Sequence, residues 1–295
     1  MTATTTDIAP LPDLLVEPAV RRALDEDLGQ SGDLSADLLI PEAARAALVF
    51  RAREAGTLSG WQAARMAYRL VSPDCDLDVA RGDGARVEAG EVVARVEGPT
   101  RALLTAERTA LNFLGRLSGV ASLTARFVAA VEGARDDGVP VRIAATRKTT
   151  PGLRALEKHA VRHGGGYPHR ESLASAIMIK DNHIALAGGV EAAMRTLRDR
   201  ADHMTRISVE VDTLDQLRTL LPFSPDVVLL DNMGPDTLRE AVAIARAAPH
   251  TPVLEASGGI TLPTVRAVAE TGIDVISLGA LTHSAPNFDI GLDAG

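Results

Sequence analysis

The residues of this chain that are able to do chemistry stand at the ends of short apolar runs. Arg147 and Lys148 close RIAATRK, Lys180 and Asp181 close IMIKD, Glu210 and Asp212 fall in ISVEVD, Asp231 ends VVLLD, and Glu255 and Ser257 stand in VLEASGG. From Arg142 to Arg170 there are seven Lys or Arg against a single acid, Glu157, together with three histidines. A cation ending an apolar strand is costly to leave half buried without an anion, so Arg147 and Lys148 read as anion ligands. Arg154, Lys158 and Arg162, four residues apart, read instead as a solvated helix face. In HGGGYPHR the glycines permit close backbone approach, and His169 with Arg170 can fork onto a planar carboxylate. Lys180, set among apolar neighbours, needs an anionic partner or a neutral amine.

Opposite these cations stand Glu210 and Asp231. They could hold a divalent cation or sugar hydroxyls, face a developing positive charge, or pair with lysines of neighbouring strands. Asp212 and Glu255 read as supports for them. Ser257, Gly258 and Gly259 precede a helix expected to open near Thr261 and Pro263, while Gly279 and Ala280 end the last run with His283 beyond. Both turns would aim backbone N–H groups at an anion. Such equipment suits the joining of a polyanionic aromatic acid to a phosphorylated sugar. A lyase barrel using Lys180 or Lys148 as a Schiff-base amine is the alternative from another enzyme class, and the additional cations weigh against it.

The elements that must position these groups follow from the runs themselves, which begin at 142, 177, 207, 227, 253 and 274. Their spacing fits β/α units, each run apolar as a strand buried on both faces must be. Polar residues at strand C-terminal ends mark the barrel face where active sites lie. An open doubly wound sheet would gather its chemistry at one switch point, and neither GxGxxG nor GxxxxGK followed by Ser or Thr is present after a first strand. The expected fold is therefore α/β, with an incomplete TIM-like barrel over residues 116–283. Residues 1–115 read as a smaller domain, with a helix from Leu14 to Leu28 and period-two strands, and the tail 284–295 is expected to pack on it. A long helix leads into the barrel. Thr105 is its expected cap, Arg108 lies near its start, and Leu111, Leu114, Leu117, Ala121, Ala125 and Val128 form its expected apolar face.

Composition narrows the classes further. The 295 residues are 46% hydrophobic and carry a formal charge of −8, which excludes a disordered chain. An acidic protein with two Tyr and one Trp offers nucleic acid neither basic surface nor stacking platforms. One cysteine, Cys75, rules out an intrachain disulfide and a thiolate metal centre. No run approaches the roughly 18 apolar residues of a spanning helix, and the opening MTATTTDIAPLPD lacks the charge and apolar stretch of a signal peptide. A cytoplasmic protein without a membrane partner is expected.

The segments ERTALNFLGRLSG, ATRKTTPGLRALEKHAVRHGGG, HR, MIKDNHI, VEVD, LLDNM, LEASGGI and DVISLGALTHS, in this order, resemble quinolinate phosphoribosyltransferase across essentially the whole chain. The resemblance implies an N-terminal α/β sandwich joined to an incomplete barrel, acting as a homodimer or larger assembly. It implies the substrates quinolinate and 5-phosphoribosyl 1-pyrophosphate, magnesium as cofactor, and nicotinate mononucleotide, pyrophosphate and carbon dioxide as products. Carried onto this sequence, it assigns Arg147, His169, Arg170 and Lys180 to the quinolinate carboxylates, with Arg108 supplied by a neighbouring subunit. Lys148 and Lys180 would reach the donor's charged groups. Glu210 and Asp231 would lie near the ribose and its metal, and Ser257, Gly258, Gly279 and His283 would cradle the 5′-phosphate. The chain departs from the family pattern where Pro168, Ser172 and Ser175 replace the usual Asn, Gly and Asp.

Overall fold

The computed structural model describes residues 8–294, and contacts divide the chain into two compact units. The first contains the residues up to Ala125, Lys148–Gly166 and those from Ala280 onward. The second contains Arg126–Arg147 and Tyr167–Gly279.

The first unit opens with α1 (Asp13–Leu28), whose Val16, Val20 and Leu24 recur every four residues and are buried. In α2 (Leu34–Leu39) the Asp33 side chain accepts the Ala36 N–H and caps the helix. Then come β1 (Arg45–Ala52), β2 (Gly56–Thr57), α3 (Trp61–Val71), β3 (Asp76–Val79), β4 (Arg86–Val87) and β5 (Val92–Pro99). β1 pairs antiparallel with β5, and Phe50 projects from it to meet Trp61 and Tyr68 of α3 edge-on at 5.4 and 6.2 Å. This contact of sheet on helix is the unit's core.

The long helix α4 spans Thr100–Val131 and begins five residues earlier than expected. Thr105 is therefore not its cap, because burial of Ala102 and Leu103 extends the apolar stripe backward, and the Thr105 hydroxyl donates to Asp33 instead. Leu111, Leu114, Leu117 and Ala121 are buried as expected. Beyond them Thr124, Phe127 and Val131 replace Ala125 and Val128 on the inner face. By length and composition α4 could cross a bilayer, but more than half of its most apolar stretch is buried, as in a core helix.

The second unit is a parallel sheet of β6 (Arg142–Ala144), β7 (Ile177–Ile179), β8 (Ile207–Val211), β9 (Val227–Asp231), β10 (Val253–Ser257) and β11 (Val275–Ser277). In the first unit α5 (Arg154–His163) separates β6 from β7 in sequence. In the second, α6 (Asp181–Leu186), α7 (Val190–Arg200), α8 (Leu214–Leu220), α9 (Pro235–Arg246) and α10 (Val265–Ala269) separate the later strands. Helix starts are encoded locally: Thr213 and Gln216 cap each other at α8, and Pro235 opens α9. The strand order β6-β11-β10-β9-β8-β7 sets the first strand beside the last. This is a barrel open at a single seam, between β6 and β7. Into that seam comes Tyr167, whose N–H donates to the Ile143 carbonyl and whose carbonyl accepts the Ala145 N–H. The chain closes with α11 (Ala280–His283) and β12 (Ile290–Ala294), which pairs antiparallel with β1.

Candidate active site

Parallel strands expose their last residues at one rim, and here that rim carries opposed charges. Lys180 follows β7 directly, and its Nζ makes a short ion pair with Glu210 Oε2 on adjoining β8. This meets the need of that lysine for an anion. Asp212, one residue past β8, and Asp231, the last of β9, bring carboxylate oxygens within 4.8 Å of each other and of Glu210. Three carboxylates so close repel one another unless a cation or proton intervenes, and an all-oxygen donor set suits a hard divalent ion such as magnesium. Asp212 thus belongs with Glu210 and Asp231 rather than behind them.

Beside them Ser257 ends β10, in register with Asp231 on one side and Ser277 on the other. Gly258 follows at φ 90°, and a Cβ there would lie 2.6 Å from the Asn232 Cγ, so only glycine fits. Asn232 itself, at φ 54°, donates to Asp231 Oδ2 at 2.7 Å and so helps aim that carboxylate. The helix expected near Thr261 is regular only over Val265–Ala269, but its first turn does begin at Thr261, whose N–H is accepted by the Thr264 hydroxyl and whose carbonyl accepts the Val265 N–H. No sizeable helix dipole points at this turn. Any anion here must rely on the Ser257 hydroxyl and local N–H groups.

Inside the barrel a cavity of about 390 Å³ is lined by His169, Arg170, Glu255, Ser208 and, at the strand beginnings, Arg142 and Arg206. His169 has φ 57°, a left-handed conformation that is costly for a residue with a Cβ. Its Nε2 lies 3.1 Å from Oε2 of Glu255, which is only 3% exposed. His169 Nδ1, Glu255 Oε1, Ser208 Oγ and Arg147 Nε are buried without a hydrogen-bond partner. Burial, then the neighbouring Arg147, lowers the pKa of Arg170, while Glu255 acts in the opposite direction. Glu255 is thus the buried counter-charge in a hollow of cations. Ser172 and Ser175 bond to each other and close a turn just past this group.

Gly279 is the last residue of the second unit, and the first unit carries the other sequence candidates. Arg108 on α4, Lys148 and His283 are exposed, and His283 Nδ1 lies 2.6 Å from the Ser284 hydroxyl. The basic face expected on α5 is not uniformly solvated. Arg162 is exposed, whereas Lys158 is 1% exposed and Glu157 fully buried, because α5 turns that side inward. The rings of His159 and His163 meet edge to face with centroids 4.4 Å apart, and burial pushes both imidazoles down to about 4, so neither adds charge at neutral pH. The close approach permitted by Gly164 is to α4, since a Cβ there would come within 2.6 Å of Thr124 Cβ.

Two associations escaped the linear reading: the His169–Glu255 pair and the buried Arg116–Glu157 pair. The signal for the first was present, since Glu255 is an acid inside an otherwise apolar strand. Arg116 gave none, being one basic residue on a long helix.

The family model for the N-terminal domain of quinolinate phosphoribosyl transferase matches residues 33–118, and that for the C-terminal domain matches 120–293. A probable nicotinate-nucleotide pyrophosphorylase (carboxylating) of Bacillus subtilis is 42% identical over 268 residues, covering 91% of this chain and 89% of its own. The nicotinate-nucleotide pyrophosphorylase (carboxylating) of Mycobacterium leprae is 39% identical over 287 residues, covering 93% and 95%. Among solved structures, the nicotinate-nucleotide pyrophosphorylase of Francisella tularensis superposes with a TM-score of 0.89 at 35% identity, covering 97% of this chain and 98% of that one.

Proposed function

This chain belongs to the quinolinate phosphoribosyltransferase family, the enzymes that make nicotinate mononucleotide in NAD biosynthesis, and we propose how its own residues divide that work. The observation that carries the assignment of roles is the opposition of charge in one barrel. Arg147 and Arg170 lie close together with His169 beside Glu255, while Glu210, Asp212 and Asp231 cluster at the strand ends, where Lys180 pairs with Glu210.

Arg147, His169, Arg170 and Lys180 take the two carboxylates of quinolinate, and the guanidinium forks fix the plane of the ring. Held so, the pyridine nitrogen attacks the anomeric carbon of the donor as the bond to pyrophosphate breaks, with its electron pair leaving on oxygen. Positive charge grows on the ribosyl centre, and Glu210 and Asp231 stabilise it, a role supported by their clustering at the strand ends. The new N-glycosidic bond leaves the ring nitrogen cationic. The adjacent carboxylate then departs as carbon dioxide, its electron pair stays on the ring carbon beside that cation, and a solvent proton completes nicotinate mononucleotide. Glu210, Asp212 and Asp231, whose oxygen donors fit magnesium, would hold it, and it would then supply positive charge to favour the pyrophosphate leaving group.

On the second unit Ser257, Gly258 and Gly279 are assigned to the 5′-phosphate. On the first, Lys148 and His283 are assigned to charged groups of the donor. Exposure of Arg108 supports its service to a neighbouring subunit in a homodimer. The test is an assay of purified protein with quinolinate, donor and magnesium. Nicotinate mononucleotide and carbon dioxide should appear in equal amounts, with no product from nicotinate. A folded sample that turns over neither acid would overturn these roles.

A further inference from the structure

Lys148 is an exposed side chain in a loop without regular structure, yet every residue from 148 to 150 is tied down inside the first unit. The Lys148 carbonyl accepts the Thr282 hydroxyl at 2.8 Å. Thr149 Oγ1 accepts Arg154 Nε at 3.1 Å. Thr150 donates both its N–H, at 3.0 Å, and its hydroxyl, at 2.6 Å, to the carboxylate of Glu157. That carboxylate is fully buried and accepts Nε and Nη2 of Arg116 at 3.0 and 2.7 Å. The same guanidinium donates to the Thr282 carbonyl and, at 3.0 Å, to the Ala285 carbonyl. One planar cation therefore grips the segment on both sides of His283 and, through Glu157 and Thr282, the loop bearing Lys148.

A buried ion pair is a weak stabiliser compared with apolar residues of the same volume, so stability alone explains this arrangement poorly. Its remaining hydrogen bonds all go to the two segments that carry Lys148 and His283: to the Thr282 and Ala285 carbonyls on one, and to the N–H and hydroxyl of Thr150 on the other. We infer that Arg116, Glu157 and Thr282 are positioning residues that fix Lys148 relative to His283, so that the two meet the charged groups of the donor at a set spacing. This rests on the assignment of Lys148 to the donor made above. It predicts that disturbing the network weakens the donor and spares quinolinate.

Truncating Arg116 or Glu157 would leave a buried charge unpaired and could unfold the protein, so the test uses near-isosteric changes. Thr282→Val removes the bond to the Lys148 carbonyl, and Thr150→Val removes one bond to Glu157. Each should raise KM for the donor about tenfold, as expected when a part-buried carbonyl or a buried carboxylate loses a donor, with KM for quinolinate unchanged. In a Lys148→Ala background the Thr282→Val change should cost nothing more, because the two act through the same contact. Lys148→Ala with a large donor effect, but Thr282→Val and Thr150→Val without one, would overturn positioning and leave the role of Lys148 standing. An equal Thr282→Val effect with and without Lys148 would also overturn it. If Lys148→Ala changes neither donor KM nor kcat, the role of Lys148 and the positioning inference fall together.

Discussion

Acid should loosen the first unit through His163, and the size of the effect follows from its surroundings. The ring is 4% exposed, its Nδ1 lies 2.8 Å from the Ser59 hydroxyl, and burial pushes its pKa from the ordinary 6.5 down to about 4. An unfolded chain binds this proton more readily than the folded one, so stability rises with pH between those two values. The contribution is fully present above pH 6.5 and is lost progressively as pH falls towards about 4. A shift of that size corresponds to roughly 3 kcal/mol. Half-buried His159, pushed down by burial and then by the charge of His163, adds a smaller loss over the same window. The perturbation is His163→Gln, which keeps a polar end for Ser59 but cannot titrate. Urea unfolding at fixed ionic strength, from about pH 7.5 to about pH 4.5, can be followed by the fluorescence of Trp61 in this same unit. The wild type should lose roughly 3 kcal/mol more than the variant across that range, since losses from carboxylates are common to both. Parallel stability curves for the two proteins would refute the argument.

Other consequences concern the barrel. Glu255→Gln retains an acceptor for His169 Nε2 but removes the buried negative charge, so KM for quinolinate should rise about tenfold while that for the donor holds. An unchanged KM for quinolinate would show that Glu255 does not serve the acid pocket. Asp212→Asn should weaken magnesium binding by about tenfold or more in calorimetric titration, and an unchanged affinity would remove Asp212 from the metal's ligands. On the proposal that Arg108 serves a neighbouring subunit, Arg108→Ala should abolish activity without unfolding the protein, and mixing it with Lys148→Ala should restore part of the turnover. Exchange of subunits without recovery would show that Arg108 does not act across the interface.

How much of this could be read from the linear chain depends on the range over which each feature is determined. Five of the six barrel strands begin where their apolar runs begin, and β11 starts one residue later, because a parallel strand buried on both faces must be a short apolar run. That Lys180, Asp231 and Ser257 lie at strand ends was legible for the same reason, as was the need of Lys180 for an anion. The motifs are long and contiguous, so the family was legible as well. Details governed by competition among nearby groups were misread. The start of α4 moved because burial outweighed a cap. Beyond the sequence altogether lay the partners of long side chains. His169 meets Glu255 across 86 residues and Arg116 meets Glu157 across 41, and Lys158 turns inward with that same helix face. Periodicity and residue type determine where an element runs and which of its faces is apolar. Only the packed chain decides which charge meets which, because that depends on strand register and helix rotation, where a shift of one residue turns a side chain to the opposite face.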